Sequence, residues 1–366
     1  MSSVTTTTPI QDLRAWLARH NLDAVYVTKP VSIAYLTGFH AEPYERLMAL
    51  ALLPDRATLI VPALEQEKAS RHSDQVDVVS WRDGEDAYAR VRTALEGCVE
   101  VGVEKEHLTV HAAETLVART AVREMVDASA EIRRLRRVKN HTEIEKLARA
   151  AAITDAATEV VLDQLRAGQT ELEVAVTIGA AIGEHGGTLA FESLVQSGPN
   201  SALPHMHPTG RKLAKGDFVL LDFGAAFDGY RADTTRMAVA GEPSARHQEI
   251  HSLVLAAHDA AIAAVRAGTT TGAVDAAARQ VIEAAGMGDR FFHRVGHGLG
   301  IEAHEDPSLD PGSDTVLEPG MVFTIEPGIY VPGWGGVRIE DDVVVEANGG
   351  RVLTSADREL WVVQPS

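Results

Sequence analysis

One cysteine, Cys98, stands in 366 residues, so no disulfide can close within the chain and a reducing compartment, the cytoplasm, is the expected location. Basic residues are also few: 34 Lys and Arg face 52 Asp and Glu, a formal charge of -18 with a pI near 5.2. A surface of that sign is repelled by phosphate, which argues against nucleic acid or an anionic membrane as the main partner. No apolar stretch reaches the length that spans a bilayer, and the start, MSSVTTTTPIQDLRAWL, lacks a charged segment followed by an apolar one, so neither insertion nor secretion is signalled. Asp222-Phe223-Gly224 spells a kinase triplet, yet neither a glycine-rich phosphate loop nor an HRD-type segment accompanies it, and that reading is set aside.

What is present is an ordinary globular composition, 45% hydrophobic, in a chain long enough for two domains rather than one core. Short apolar runs at Ala24–Val27, Met48–Leu53, Leu59–Val61, Val76–Val79 and Val99–Val103 alternate with polar helical stretches such as Glu85–Leu95, which predicts an α/β first domain. Pro54-Asp55-Arg56 is placed to turn one strand back antiparallel to the next. Residues 131–140, EIRRLRRVKN, are strongly basic and are expected to be a solvated or salt-bridged linker, with the domain boundary near residue 135. A long helix then begins at His141, with Ile144, Leu147 and Ala151 on one face.

The second part reads as an internal duplication. LRAGQTELEV at Leu165–Val174 is echoed 100 residues later by VRAGTTTGAV at Val265–Val274, each at a helix–helix junction. After each comes a helix, a glycine-rich segment with histidine, and a strand ending in an acid: Asp222 in GDFVLLDFG, Glu326 in PGMVFTIEPG. A second acid follows each, Asp233 in GYRADTTR and Glu340 in GGVRIEDD, and His297 lies between the pairs. Two facing repeats would gather four carboxylates at one centre, where they repel one another until protonated or neutralised. Two divalent cations bring +4 against -4, and a donor set of four carboxylates and one imidazole suits Mn²⁺ first, with Co²⁺, Zn²⁺ or Fe²⁺ as alternatives. Such a pair lowers the pKa of a shared water and polarises a substrate oxygen, so hydrolysis is the expected chemistry.

The stretches SGPNSALPH (197–205), LDFGAAFDGYRADTTR (221–236), HRVGHGLGIEAHEDP (293–307), TIEPGIY (324–330) and GGVRIEDD (335–342) together resemble the pita-bread metallopeptidases, the family that holds methionine aminopeptidase, aminopeptidase P and prolidase. The resemblance implies an α/β creatinase-like amino-terminal domain over residues 1–135, then an α+β pita-bread catalytic domain over 136–366 with an internal pseudo-twofold repeat. It implies metal ligation by Asp222, Asp233, His297, Glu326 and Glu340, with Asp233 and Glu340 bridging. His205 aligns with a histidine near the substrate, and His304 with one that stabilises the tetrahedral intermediate. Glu326 takes a second role as proton shuttle, and His293 is a pocket residue. Arg338 either steadies the acids, binds a substrate carboxylate or forms a plain salt bridge.

The same resemblance suggests a substrate with proline after the scissile bond and a homodimer. SIAYLTGFHAEPYERLMAL (32–50) looks more like bacterial prolidases than aminopeptidases P. Glu42 and Arg46 in it are placed to meet the two termini of a dipeptide, or else belong to an exposed charge cluster. Hydrolysis of Xaa-Pro dipeptides is therefore the leading expectation. Aminopeptidase P action on longer peptides comes second; a small-amide hydrolase, a lyase or a non-catalytic binding protein on the same fold follows.

Overall fold

The computed structural model describes residues 8–72 and 75–363. Residues 1–7, the front of the segment read for a targeting signal, lie outside the described residues. The contacts divide the chain into two units, 1–136 and 137–366.

The first unit is built on a six-stranded sheet in the order Asp77–Trp81, Ala57–Pro62, Ala49–Leu52, Ala24–Val27, Glu100–Val103, Glu124–Asp127. The strand Ala49–Leu52 runs antiparallel to both its neighbours, with Leu52 opposite Ala57 across the Pro54-Asp55-Arg56 turn; the other pairings are parallel. Alternation along the central strands feeds two cores. Val25, Val27, Leu50 and Leu52 pack with Leu13, Trp16 and Ile33 on one face, and Ala24, Tyr26, Ala49 and Ala51 pack with Val91, Leu95 and Leu116 on the other. The helix expected over Glu85–Leu95 occupies Ala87–Ala94, started by the Asp86 carboxylate, which accepts the Tyr88 N–H.

The basic run is salt-bridged, as one of the two expectations had it, but most of it is a helix rather than a linker. Ser129–Arg137 is a helix. Glu131 takes a two-point bond from Arg134 at 2.8 and 2.9 Å, and Arg136 is buried. Lys139 is buried too, with Nζ 3.5 Å from the buried Glu305 carboxylate.

In the second unit the two Arg-Ala-Gly-x-Thr segments occupy matching places. Helices His141–Gln164 and Glu171–Glu184 flank the first, helices Ala245–Ala264 and Thr271–Ala284 the second. Gly168 and Gly268 adopt φ of 87° and 86°, left-handed values that favour glycine, and their N–H groups donate to Leu213 and Leu317 carbonyls, both at 2.9 Å. A capping box between Asn140 and Glu143 sets the start of the long helix at His141. Behind each helix pair lies an antiparallel sheet: Phe218–Phe223 beside Thr234–Ala240 in one, Val322–Ile325 beside Asp341–Glu346 in the other. A backbone bridge between Thr235 and Glu340 joins them. Among the described residues no helix is long and apolar enough to cross a membrane.

Candidate metal centre

Each acid sits where an apolar strand meets the seam between the two sheets. Phe218–Phe223 is buried along its whole length, so Asp222 is carried inside by its neighbours and lies opposite Thr235. Asp233 reaches the same place through a tight reversal at Asp228 and Gly229. The two strands approach so closely beside Gly224 that a Cβ there would stand 1.7 Å from the Ala232 carbonyl oxygen, which only glycine accommodates. Glu326 follows Val322–Ile325, and Glu340 precedes Asp341–Glu346.

The structure brings one atom each of Asp233, His297 and Glu340 within 4.8 Å of one another. Glu326 joins them with Oε1 3.3 Å from His297 Nε2, and Asp233 Oδ2 lies 3.9 Å from the same nitrogen. Asp222 stands beside this group with its Oδ2 held by the Arg338 guanidinium. All five line one cavity of about 1090 Å³ with His205, His293, His304 and Arg338.

Electrostatics in the group are adverse unless a cation is supplied. Burial raises Asp222, Asp233 and Glu340 above the carboxylate range; for Asp233 and Glu340 neighbouring acids add to it. Burial pushes Glu326 up to about 7, with Asp222 adding repulsion against the pull of Arg338. His297 is pushed down to about 3 by burial and then by His304, so its ring is neutral and offers a lone pair. Among the described residues Asp233 Oδ1 has no hydrogen-bond partner despite its burial, where most such atoms have one. Crowded buried acids, an oxygen without a donor and a neutral imidazole together fit a site for divalent cations.

The remaining predicted residues fall into three sets. His205 is exposed on the cavity wall, and His304 stacks on His297 with ring centres 3.9 Å apart. His293 has both nitrogens engaged: Nδ1 lies 2.7 Å from the Arg294 carbonyl oxygen, so it carries the proton, and Nε2 accepts from the Tyr330 hydroxyl at 3.0 Å. Burial pushes that imidazole down to about 4, and its ring face rather than a nitrogen is left for the cavity. Arg338 is turned to the acids, with Nε 3.0 Å from Thr235 Oγ1 and Nη1 3.1 Å from the Tyr330 hydroxyl. Glu42 and Arg46 belong to the other unit, where Glu42 is exposed and Arg46 is gripped by Asp83 at 3.0 and 2.9 Å.

Sequence reasoning assigned no role to three groups that organise the centre. Thr235 donates its hydroxyl to Glu340 Oε2 at 2.5 Å. Asp342 Oδ2 accepts the Asp233 N–H at 3.1 Å. Tyr330, pushed up to about 12 by burial, remains a phenol and links His293 to Arg338. Thr235, Asp342 and Tyr330 all lie inside the motif stretches, where the only signal was adjacency to the acids.

Comparison with known proteins agrees with this geometry. The profile of metallopeptidase family M24 matches residues 145–347, and that of the creatinase/prolidase N-terminal domain matches residues 9–138. The chain is 38% identical to the Xaa-Pro dipeptidase of Lactobacillus helveticus over 97% of this chain and 98% of that one. Its structure is similar to the Xaa-Pro dipeptidase from Bacillus anthracis, with TM-score 0.91 and 35% identity over 97% and 99% of the two chains. It is also similar to the X-Pro aminopeptidase from Thermotoga maritima, with TM-score 0.90 and 30% identity over 98% and 100%. With five acid and imidazole donors gathered on the two facing repeats of its second unit, the chain belongs to metallopeptidase family M24 and carries the creatinase/prolidase N-terminal domain.

Proposed function

We propose that the protein is an Xaa-Pro dipeptidase that works with two divalent ions, Mn²⁺ first among them, held by Asp222, Asp233, His297, Glu326 and Glu340. The observation that carries the reading is the convergence of these five side chains in one cavity, in a chain similar over nearly its full length to a protein named Xaa-Pro dipeptidase. When bound, such ions polarise a carbonyl and lower the pKa of water. The chain's own residues supply the rest. Glu326, beside His297 in the same group, takes and returns the proton of the attacking water. His304, stacked over His297, donates toward the developing oxyanion, and His205 faces the substrate from the opposite motif. Arg338 holds Asp222 in place and steadies the acids rather than binding a substrate carboxylate. Glu42 and Arg46 act from the second copy of a homodimer, where Arg46 exchanges Asp83 for the dipeptide carboxylate. The net charge of -18 keeps nucleic acid and anionic membranes away, and with a single cysteine the enzyme works in the cytoplasm.

Action on longer Xaa-Pro peptides is the second reading, favoured by the likeness to an X-Pro aminopeptidase and by a cavity of about 1090 Å³. Initial rates on Met-Pro and on a matching Met-Pro-Xaa tripeptide separate the two, after metal stripping and resupply of Mn²⁺, with Asp233→Ala as control. Metal-dependent cleavage of the dipeptide alone supports the first reading. Preference for the tripeptide replaces it with the second, and cleavage of neither rejects both.

A further inference from the structure

His205 is a side chain whose position nothing holds directly: it is exposed, and among the described residues no hydrogen bond reaches its ring. Its aim into the cavity therefore depends on the backbone that carries it. That backbone is a tight turn in which the Met206 N–H donates to the Leu203 carbonyl at 2.9 Å. The buried amide of Gln196, on the strand Leu194–Ser197, reaches the turn and donates from one nitrogen to two carbonyls, those of Pro204 and Met206, each at 3.0 Å. These are the residues on either side of His205. With two carbonyl oxygens as partners, only the nitrogen of the amide can face them, so the orientation of the Gln196 amide follows from the network.

We infer that Gln196 is a positioning residue for His205: it pins both flanking peptides and so fixes the direction in which the imidazole enters the cavity. The inference rests on the reading of His205 as a substrate-facing residue. Two further observations favour it over a merely structural hydrogen bond. Gln196 is fully buried, yet its Oε1 has no partner among the described residues. With Oε1 unpartnered, all the hydrogen bonding of this buried amide runs through its N–H₂ group to the two peptides beside His205. The base of the same loop is anchored separately. The buried Glu171 carboxylate accepts from Ser197 Oγ at 2.7 Å and Asn200 Nδ2 at 3.0 Å on the way in, and from Thr209 Oγ1 at 2.6 Å on the way out. With the base fixed by Glu171, the Gln196 amide is left to govern the tip.

The test compares Gln196→Met, which keeps the volume and removes both N–H donors, with His205→Ala and the double variant, all with Mn²⁺ supplied and Met-Pro as substrate. Gln196→Met is expected to lower kcat/KM about tenfold with His205 present and less than about twofold in its absence, because misaiming a group costs only while the group is there. The His205 ring resonance in histidine-labelled protein loaded with diamagnetic Zn²⁺ in place of Mn²⁺, assigned by its loss in His205→Ala, is expected to shift and broaden in Gln196→Met without any substrate. Equal losses in both backgrounds, or an unmoved resonance, would overturn the inference and leave Gln196 a core residue. If His205→Ala alone changes neither kcat nor KM, the role of His205 fails, and the positioning is then judged on the resonance. Gln196→Asn keeps a primary amide that is too short for both carbonyls, and it carries the same comparisons if the methionine variant does not fold.

Discussion

Thr235 and Glu340 are bound to each other twice across the seam of the catalytic unit: the Thr235 hydroxyl donates to Glu340 Oε2 at 2.5 Å, and the Glu340 N–H donates to the Thr235 carbonyl at 3.3 Å. One residue of the first repeat thus sets both the backbone and the carboxylate of an acid in the second. The same hydroxyl accepts from Arg338 Nε at 3.0 Å, which ties the guanidinium that holds Asp222 into the arrangement.

Thr235→Val keeps the shape and removes that hydroxyl. Groups that orient metal ligands cost about 10–100-fold in metal affinity or activity when lost, and a loss in that range is expected here. Titration calorimetry with Mn²⁺ and rates on Met-Pro measure it. Thr235→Ser, which keeps the hydroxyl, should stay near the parent, and a drop as large as that of valine would assign the effect to packing.

Glu326 is raised from 4.5 to about 7, so the stability it contributes is complete below pH 4.5 and lost as pH rises through 7. His293 and His297 are lowered from 6.5 to about 4 and about 3; their contribution is complete above pH 6.5 and lost as pH falls through 4 and 3. Bound cations replace the proton on the acid and need the ring neutral, so their stabilisation grows with pH. The rise in Tm on adding Mn²⁺ to stripped protein should be larger at pH 8 than at pH 5 by roughly 3–6 °C. Equal rises would contradict the assignment of Glu326 as a ligand.

Gly224→Ala places a methyl 1.7 Å from the Ala232 carbonyl oxygen, a clash with backbone that no rotamer relieves. Separating the strands that carry Asp222 and Asp233 should cost about 3 kcal/mol or more, read from the denaturant midpoint of the metal-free protein. An unchanged midpoint would mean that the two strands part without cost.

Lys139→Met leaves the Glu305 carboxylate buried without its ammonium partner. Removing one member of a buried pair costs about 3–5 kcal/mol, and Glu305 follows His304 directly while also accepting the Glu302 N–H at 2.9 Å. Chemical denaturation should show the loss, and kcat should fall with it as the His304 loop shifts. Combining it with Glu305→Met should recover most of the stability, because an apolar pair leaves no charge buried.

The first sheet was legible wherever an apolar run lay between turn residues, as at Ala24–Val27, because burial on both faces leaves no other way to write a central strand. Glu124–Asp127 was missed: as an edge strand with its first and last residues exposed, it needs little hydrophobicity and shows little. That the basic run forms ion pairs was legible; that it is helical and that Lys139 is buried was not, because the carboxylate that meets Lys139, Glu305, lies far away in sequence. The acids were visible since each interrupts or ends an apolar strand. Thr235 and Tyr330 were not, because a hydroxyl acquires its role from whichever carboxylate or imidazole the opposite repeat presents.

Thr235 and Glu340 are 105 residues apart, and this separation bears on folding. Closing a loop of that length costs conformational entropy that the contact must offset. In the unfolded chain the acids of the two repeats are in water, ionised and shielded from one another. The repulsion that crowds the finished site arises only as the two halves come together, so divalent ions in the surrounding solution should favour their joining.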